Sequence, residues 1–376
     1  MRVLMLSSLW PPAVVGGAEI YAATLARELQ DRGHVVGVVT LGVRDVDGAE
    51  LVGTVRPWPV RVDRLRAGAA WRRPLFHLAD AWRVDVLPVL RDAVERFRPD
   101  VVHSHVTQGM SVAALTAPHR LGVPHVHTLH DYWLRCWRST MTRRNGGECG
   151  PACRVVSAQR LRAVRRRPAD VVVAISQAML DRHPGVRGRR NTVVLRHPIE
   201  TADIRERPAN GHAVFGYLGQ LNPNKGVDVL LDAARRGGHR LVVAGRGRLE
   251  HSVRTDRAVD YRGWVAGAER EKFFDAIDCL VVPSVWAEPA GLAVNEAVAR
   301  GLPVIAAASG GLPEYVPEPC RPLLTPPGDP VALARSMTAF ATDPVSFRPG
   351  RPDATRSWPA HIDDIIGTYD VARGLS

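Results

Sequence analysis

Lysine is almost missing from this chain. Of its 50 Lys and Arg residues only Lys225 and Lys272 are lysines, so the formal charge of +12 is carried by arginine. That bias reads as a G+C-rich coding style, and the charge alone does not make the chain a nucleic-acid binder. Cysteine is also scarce: five in 376 residues exclude a disulfide scaffold. Hydrophobic residues at 45% and aromatics at 6% fit a soluble globular protein, not a fibrous or disordered one. No apolar run approaches the roughly 18–20 residues that span a bilayer. The opening Met-Arg-Val-Leu-Met-Leu-Ser-Ser is too short for a signal-peptide core, so it reads as a first strand and predicts a cytoplasmic chain. Nothing repeats in tandem.

What is present is an alternation of short β-branched runs with helical stretches. Val3–Ser7, Val35–Thr40, Asp100–His105, His125–Thr128, Val171–Ile175 and Thr192–Leu195 read as strands. Ala18–Gly33 reads as a helix, with Ile20, Leu25 and Leu29 on its apolar face and Gly33 as its stop. A Pro- and charge-rich passage from His197 to His212 then interrupts the pattern, which restarts. Ala213–Leu218, His239–Ala244, Cys279–Pro283 and Pro303–Ala306 read as strands; Asp228–Arg236, Glu269–Ile277, Leu292–Arg300, Pro330–Phe340 and His361–Ala372 read as helices. The expected class is α/β, two doubly wound Rossmann-like domains facing an interdomain cleft, with ligands beyond the carboxyl ends of the strands. The boundaries fall at 1–197 for the first domain, 198–212 for a linker and 213–350 for the second, leaving 351–376 as a C-terminal helix packing back toward the first.

The densest chemical signal begins at Ser284-Val-Trp-Ala-Glu-Pro-Ala-Gly-Leu. A strand ends near Pro283, a loop carries Glu288, and Gly291-Leu292 opens a helix that bears Glu296. Bare NH groups and the helix dipole at such a start favour a diphosphate, although two acids could also merely complement the dipole. Ala308-Ser-Gly-Gly-Leu-Pro-Glu-Tyr-Val adds a second glycine turn with NH donors at Gly310 and Gly311. Tyr217-Leu-Gly-Gln-Leu-Asn-Pro-Asn-Lys-Gly puts Lys225, a compact cation suited to a diphosphate, at a helix start. Val242-Val-Ala-Gly-Arg-Gly-Arg contributes Gly245 and Arg246, with a spacing that is not that of a Walker A loop.

Taken in order with Tyr261-Arg-Gly-Trp, these motifs resemble the family 4 retaining glycosyltransferases of the GT-B fold, also called glycosyltransferase group 1, over nearly all of the second domain. The resemblance implies that Glu296 binds the donor's ribose, Glu288 contacts the donor sugar, Lys225 neutralises the diphosphate, and the turn at Trp264 lies near the base. It also implies an enzyme that moves a hexosyl or N-acetylhexosaminyl group from a nucleoside-diphosphate sugar, with UDP or GDP as carrier, to a hydroxyl acceptor. Natural-product or cell-envelope glycan biosynthesis is the expected setting. One departure stands out: the family usually has arginine where this chain has Gln220, so Arg246 or Arg248 is the candidate replacement cation.

The first domain agrees in smaller pieces. Leu9-Trp-Pro-Pro-Ala-Val-Val-Gly-Gly-Ala-Glu resembles the family's diphosphate- and acceptor-facing loop, with Gly16 and Gly17 as its flexible pair and Glu19 complementing the helix dipole. His130, at the end of the His125-Val-His-Thr-Leu-His-Asp strand, matches a histidine that in relatives contacts the donor sugar, and is expected to serve catalysis with Lys225 and Glu288. His103, His105, His125 and His127 alternate on strands as core or rim residues. Cys136, Cys149 and Cys153 stay open between unlinked thiols and a zinc site or disulfide. The basic stretch Arg154–Arg167 stays open between a solvated helix and a contact with an anionic membrane surface at the inner face.

The resemblance further implies retention without a covalent enzyme intermediate, which makes the expected catalytic work electrostatic. No cofactor is expected, and no Asp-x-Asp pair in a suitable place argues for a donor-site metal. The alternatives are a sugar-nucleotide epimerase, a glycan phosphorylase and a noncatalytic nucleotide-sugar or nucleic-acid binding protein. Oligomeric state is not legible.

Overall fold

The computed structural model describes residues 1–14, 16–43, 45–59, 72–81, 83–142, 149–166, 168–186, 191–200, 202, 204 and 213–374. Most of the expected linker at 198–212 lies outside the described residues, as does Arg167 of the basic stretch. The chain divides into two units. The first takes Met1–Met141, Cys149–Arg196 and Pro359–Ser376; the second is built on His197–Trp358.

In the first unit the chain runs β1 (Arg2–Leu6), α1 (Gly17–Asp31), β2 (Val35–Leu41), β3 (Glu50–Val55), α2 (Arg72–Ala79) and α3 (Val86–Phe97). It continues with β4 (Val101–Ser104), α4 (Ser111–Arg120), β5 (His125–Leu129), α5 (Pro151–Arg166), β6 (Val171–Ala174), α6 (Gln177–Asp181) and β7 (Thr192–Val194). The strands form one sheet in the order β3-β2-β1-β4-β5-β6-β7, and every pairing is parallel. Val3–Leu6 and Val101–Val102 are essentially inaccessible, as strands covered on both faces must be. Helix α1 buries Tyr21, Ala22, Leu25, Ala26 and Leu29. Ile20, expected on that face, is instead 55% exposed: it lies one position round the helix from the buried stripe.

The second unit runs β8 (Val214–Leu218), α7 (Val227–Gly237), β9 (Arg240–Ala244), α8 (Glu250–Thr255), β10 (Val259–Gly263), α9 (Ala268–Asp275) and β11 (Cys279–Val282). After these come α10 (Leu292–Ala299), β12 (Val304–Ala306), α11 (Leu312–Tyr315) and α12 (Pro330–Thr342). The order β10-β9-β8-β11-β12, again parallel, reverses direction between β8 and β11. That reversal is the point at which a doubly wound sheet opens a crevice beyond its carboxyl edge. Apolar clusters lie on both faces of this sheet, one around Phe273, Phe274 and Val298, the other around Leu230, Leu333 and Phe340.

The last helix, α13 (Trp358–Ala372), docks on the first unit from Pro359 onward. Tyr369 Oη lies 2.8 Å from His103 Nδ1, His361 Nε2 lies 2.6 Å from Tyr21 Oη, and Arg32 pairs with Asp363. Helix α5 is not simply a solvated basic helix. Arg162, Arg165 and Arg166 are exposed, but Arg160 is 1% exposed and donates to Asp80 Oδ2 at 3.0 Å and to the Trp133 carbonyl. Asp80 also accepts from Trp133 Nε1 at 2.6 Å and from the backbone of Gly109 and Ser111. Burial pushes its carboxyl up, while the Arg160 guanidinium and the three NH donors pull it back.

Candidate functional site

Four strand-end loops of the second unit pack backbone on backbone, and glycine makes the approach possible. A Cβ on Gly245 (φ +137°) would lie 1.8 Å from the Gly219 carbonyl oxygen. One on Gly226 (φ +71°) would lie 1.9 Å from the Pro283 oxygen, and one on Gly310 (φ +58°) 2.2 Å from the Glu288 oxygen. No L side chain fits these positions. The loops after β8, β9, β11 and β12 therefore close on one another at the edge where the sheet order reverses.

Lys225 and Glu288 meet at that edge. Their loops are joined by the Asn224 carbonyl, which accepts from the backbone NH groups of Val285 and Trp286 at 3.1 and 3.2 Å. The Lys225 ammonium then reaches Glu288 Oε1 at 2.6 Å and sits 4.9 Å from the centre of the Trp286 ring. Ser284 Oγ donates to the same carboxylate oxygen at 2.7 Å, and Gly311 N donates to the Glu288 carbonyl at 2.7 Å. The sequence reading gave these two residues separate parts of a donor. The structure pairs them with each other, 24% and 10% exposed at their side chains, so any anion arriving at Lys225 changes the charge balance at Glu288.

Glu296, in the second turn of α10, pairs with Arg270 of α9, whose Nε donates to Oε2 at 3.1 Å. Burial raises the Glu296 carboxyl above its ordinary value and Arg270 opposes the rise. Gly291 caps α10 against Tyr315, where a Cβ would lie 2.9 Å from the tyrosine Cβ. Leu292 opens the helix and Asn295 is turned inward, donating to the His197 and Pro198 carbonyls at 3.0 and 3.1 Å. Gln220 follows β8, its Oε1 accepting from Asn222 Nδ2 at 3.0 Å. Arg246 and Arg248 stand exposed after β9, and among the described residues neither forms an ion pair. Trp264, just past β10, is 68% exposed.

In the first unit Gly16 N donates to Glu19 Oε2 at 2.9 Å, so Glu19 closes the start of α1, and Gly17 is its first residue. His130 follows β5 and is 7% exposed; its Nε2 lies 3.1 Å from His105 Nδ1, and the Tyr21 ring is 5.2 Å away, centre to centre. His103, His105, His125 and His127 are all buried. Ser104 Oγ sits between His125 Nε2 at 2.7 Å and His127 Nδ1 at 2.8 Å. The Sγ atoms of Cys136, Cys149 and Cys153 come together within 4.8 Å. Sequence reasoning missed Arg270, the Ser284 hydroxyl and the Asp80–Arg160 pair, and it read His105 as core or rim without its contact to His130. Arg270 lies on α9 and Asp80 just after α2, with nothing local to mark either, and His105 follows β4, 25 residues before His130.

A glycosyltransferase family 4 model matches residues 15–203, and a group 1 glycosyl transferase model matches residues 212–343. The chain is 29% identical to the 2-deoxystreptamine N-acetyl-D-glucosaminyltransferase of Streptomyces fradiae, over 98% of this chain and 93% of that protein. Among solved structures it resembles sucrose-phosphate synthase of Thermosynechococcus elongatus, with a TM-score of 0.72 at 20% identity over the whole of both chains. It also resembles Anabaena HepE in complex with UDP and glucose, with a TM-score of 0.67 at 19% identity over 98% of each. No described helix is long and apolar enough to cross a membrane. Two parallel Rossmann-like units and the matched family models agree: the chain belongs to glycosyltransferase family 4, the group 1 glycosyltransferases of the GT-B fold, and is a nucleotide-sugar-dependent glycosyltransferase.

Proposed function

We propose that this chain transfers a hexosyl or N-acetylhexosaminyl group from a nucleoside-diphosphate sugar to a hydroxyl of a small polyhydroxylated acceptor, with retention of the anomeric configuration. The observation that carries the reading is the Lys225–Glu288 pair at the switch point of the second sheet, among glycine-built loops. The donor's diphosphate lies against Lys225, the NH group of Gly310 and the start of α10 at Gly291–Leu292, with Gly245, Arg246 and Gln220 alongside. Glu288, held by Ser284, turns its carboxylate to the sugar hydroxyls once the ammonium has a second anion. Glu296 takes the ribose hydroxyls, sharing them with Arg270, and Trp264 lies by the base. The first unit, with His130 and the Gly16–Gly17 loop after strands of its own sheet, takes the acceptor.

In the reaction the bond from the anomeric carbon to the diphosphate oxygen breaks and a bond to the acceptor oxygen forms on the same face. The acceptor's proton passes to the departing diphosphate oxygen, so no enzyme nucleophile is needed. The leaving charge grows beside Lys225, which is where stabilisation lowers the barrier. Similarity to the Streptomyces enzyme over nearly the full length of both proteins supports an aminocyclitol as acceptor.

The test is release of nucleoside diphosphate from UDP-, GDP- and ADP-linked hexoses and N-acetylhexosamines, with and without aminocyclitol acceptors. Acceptor-dependent release and an NMR coupling that matches the donor's anomer are expected. An inverted product removes retention alone. Release that no acceptor stimulates, across the whole panel, overturns the transfer.

A further inference from the structure

We propose that Cys136, Cys149 and Cys153 bind one zinc ion, which ties the loop after β5 to the first turn of α5. The three residues are separated by up to 17 positions, yet Cys136 Sγ lies 3.3 Å from Cys149 Sγ and 3.8 Å from Cys153 Sγ, with all three sulfurs within 4.8 Å. Sulfurs placed about 2.3 Å from a tetrahedral zinc stand roughly 3.8 Å apart, so the two edges at Cys136, 3.3 and 3.8 Å, are close to those of one face of a zinc–thiolate tetrahedron. A disulfide would use two of the sulfurs and leave the third crowded against the bond.

The surroundings suit thiolates. Arg138 N donates to Cys136 Sγ at 3.4 Å, and the Trp137 backbone NH donates to Cys153. Such NH donors stabilise charge on ligating sulfur and fix its direction. Cys153 lies in the first turn of α5, where the dipole favours negative charge, and the Arg160 guanidinium interacts with both Cys136 and Cys153. Cys136 and Cys153 are buried, while Cys149 is partly accessible and leaves the ion a way in. Soft thiolates select zinc over magnesium or calcium. Among the described residues the set of His, Cys, Asp and Glu ligands ends at three, so the fourth position is filled from outside that set.

The clamp acts on position. Cys136 stands six residues after His130, and between them Asp131 Oδ1 accepts from Trp133 N at 2.7 Å while Trp133 is locked to Asp80 and Arg160. Zinc would close that loop from its far end and hold His130's flank against α5.

The full chain, purified under reducing conditions and dialysed with one equivalent of zinc, is assayed for bound metal and for thiols reactive to an aromatic disulfide reagent. About one zinc per chain is expected, with three thiols unreactive until a chelator is added. Cobalt(II) in place of zinc is expected to give a sulfur-to-metal charge-transfer band, which reports thiolate ligation directly. Cys149→Ser, at the partly accessible corner, is expected to weaken zinc binding at least tenfold with unchanged circular dichroism. Three reactive thiols in the zinc-treated native chain, or a disulfide between two of them, overturns the proposal. Neither result bears on transferase activity.

Discussion

The two units share a strand order around their switch points but line the carboxyl edges of their sheets with different materials. The first unit lines the carboxyl edge with imidazoles and hydroxyls: His103 against Thr128 and Tyr369, Ser104 between His125 and His127, His105 against His130. The second lines its edge with backbone and paired charge: Gly226, Gly245 and Gly310 bring carbonyls and NH groups together, and Lys225 answers Glu288 as Arg270 answers Glu296. A site for a multiply charged diphosphate needs NH donors at short range and a cation already desolvated, which glycine loops and an ion pair supply. The first unit, to which we assign the acceptor, offers the directional donors and acceptors of imidazoles and hydroxyls, which suit a polyhydroxylated molecule.

The sharpest break of that contrast is Lys225→Ala. With the ammonium gone, the leaving diphosphate loses its cation and Glu288 is left facing it, so turnover is expected to fall by about 10³-fold. Glu288→Gln beside it is expected to fall less, because the amide still bonds to Ser284. Steady-state kinetics decide the order, and equal rates in Lys225→Ala and the native enzyme would detach the pair from catalysis. Next in size is Asp80→Ala in the first unit. It strands Arg160 at 1% exposure and is expected to cost about 3–5 kcal/mol of stability, read from denaturant midpoints. Replacing Asp80 and Arg160 together by apolar residues is expected to recover most of the loss.

Glycine in the second unit gives a controlled comparison. Gly245 and Gly238 both have positive φ, at +137° and +65°, but a Cβ at Gly238 meets nothing within 4 Å while one at Gly245 strikes the Gly219 carbonyl. Gly238→Ala is expected to cost about 1 kcal/mol and Gly245→Ala about 2–4 kcal/mol. Thermal unfolding reads both, and equal losses would mean that backbone strain, not close approach, requires glycine at Gly245.

Protonation separates the units as well. Burial pushes His125 down to about 3 and His127, His183 and His361 to about 4, all within the first unit. An unfolded histidine titrates near 6.5, so the unfolded chain takes up protons first as the pH falls. Stability from these residues is complete above about pH 6.5 and drains away toward pH 4, at up to about 1.4 kcal/mol per pH unit for each histidine. Amide exchange between pH 7.5 and 5 is expected to speed up in β5 and α13 before it does in β8 and β9. The reverse order would show that the second unit is the acid-sensitive one.

Much of this contrast is written locally, and some of it is not. Buried strands such as β6 and β11 announce themselves as apolar runs because both faces are covered. The edge strands β3 and β10 do not: Glu50–Val55 and Val259–Gly263 mix exposed polar residues and glycine into half-solvated strands. The glycines, Lys225 and the two glutamates could be read because each loop carries its requirement in a few consecutive residues. Their partners could not. Lys225 and Glu288 are 63 residues apart, Asp80 and Arg160 are 80 apart, and pairing over such distances is set by the order of strands. The basic stretch shows the same limit, since nothing in its run of arginines tells Arg160 from Arg162.

Gln220 offers the smallest effect and the finest test of how the second unit holds its anion. Its side chain bonds Asn222, while Arg246 and Arg248 stand exposed across the neighbouring loop, where the Arg246 carbonyl accepts from Leu221 N at 2.9 Å. Gln220→Arg adds a charge-assisted donor at the strand end and is expected to tighten nucleoside-diphosphate binding about tenfold, measured by calorimetry. The gain should shrink as salt rises, since the new charge faces solvent. Arg246→Ala is expected to lose a similar factor in the native background and far less once Gln220→Arg is present, because one cation then does the work of the other. Additive changes would assign the two arginines to different phosphates. If neither substitution moves the affinity, Lys225 and the glycine-turn NH groups hold the diphosphate by themselves, and the missing arginine was never replaced because the backbone had made it redundant.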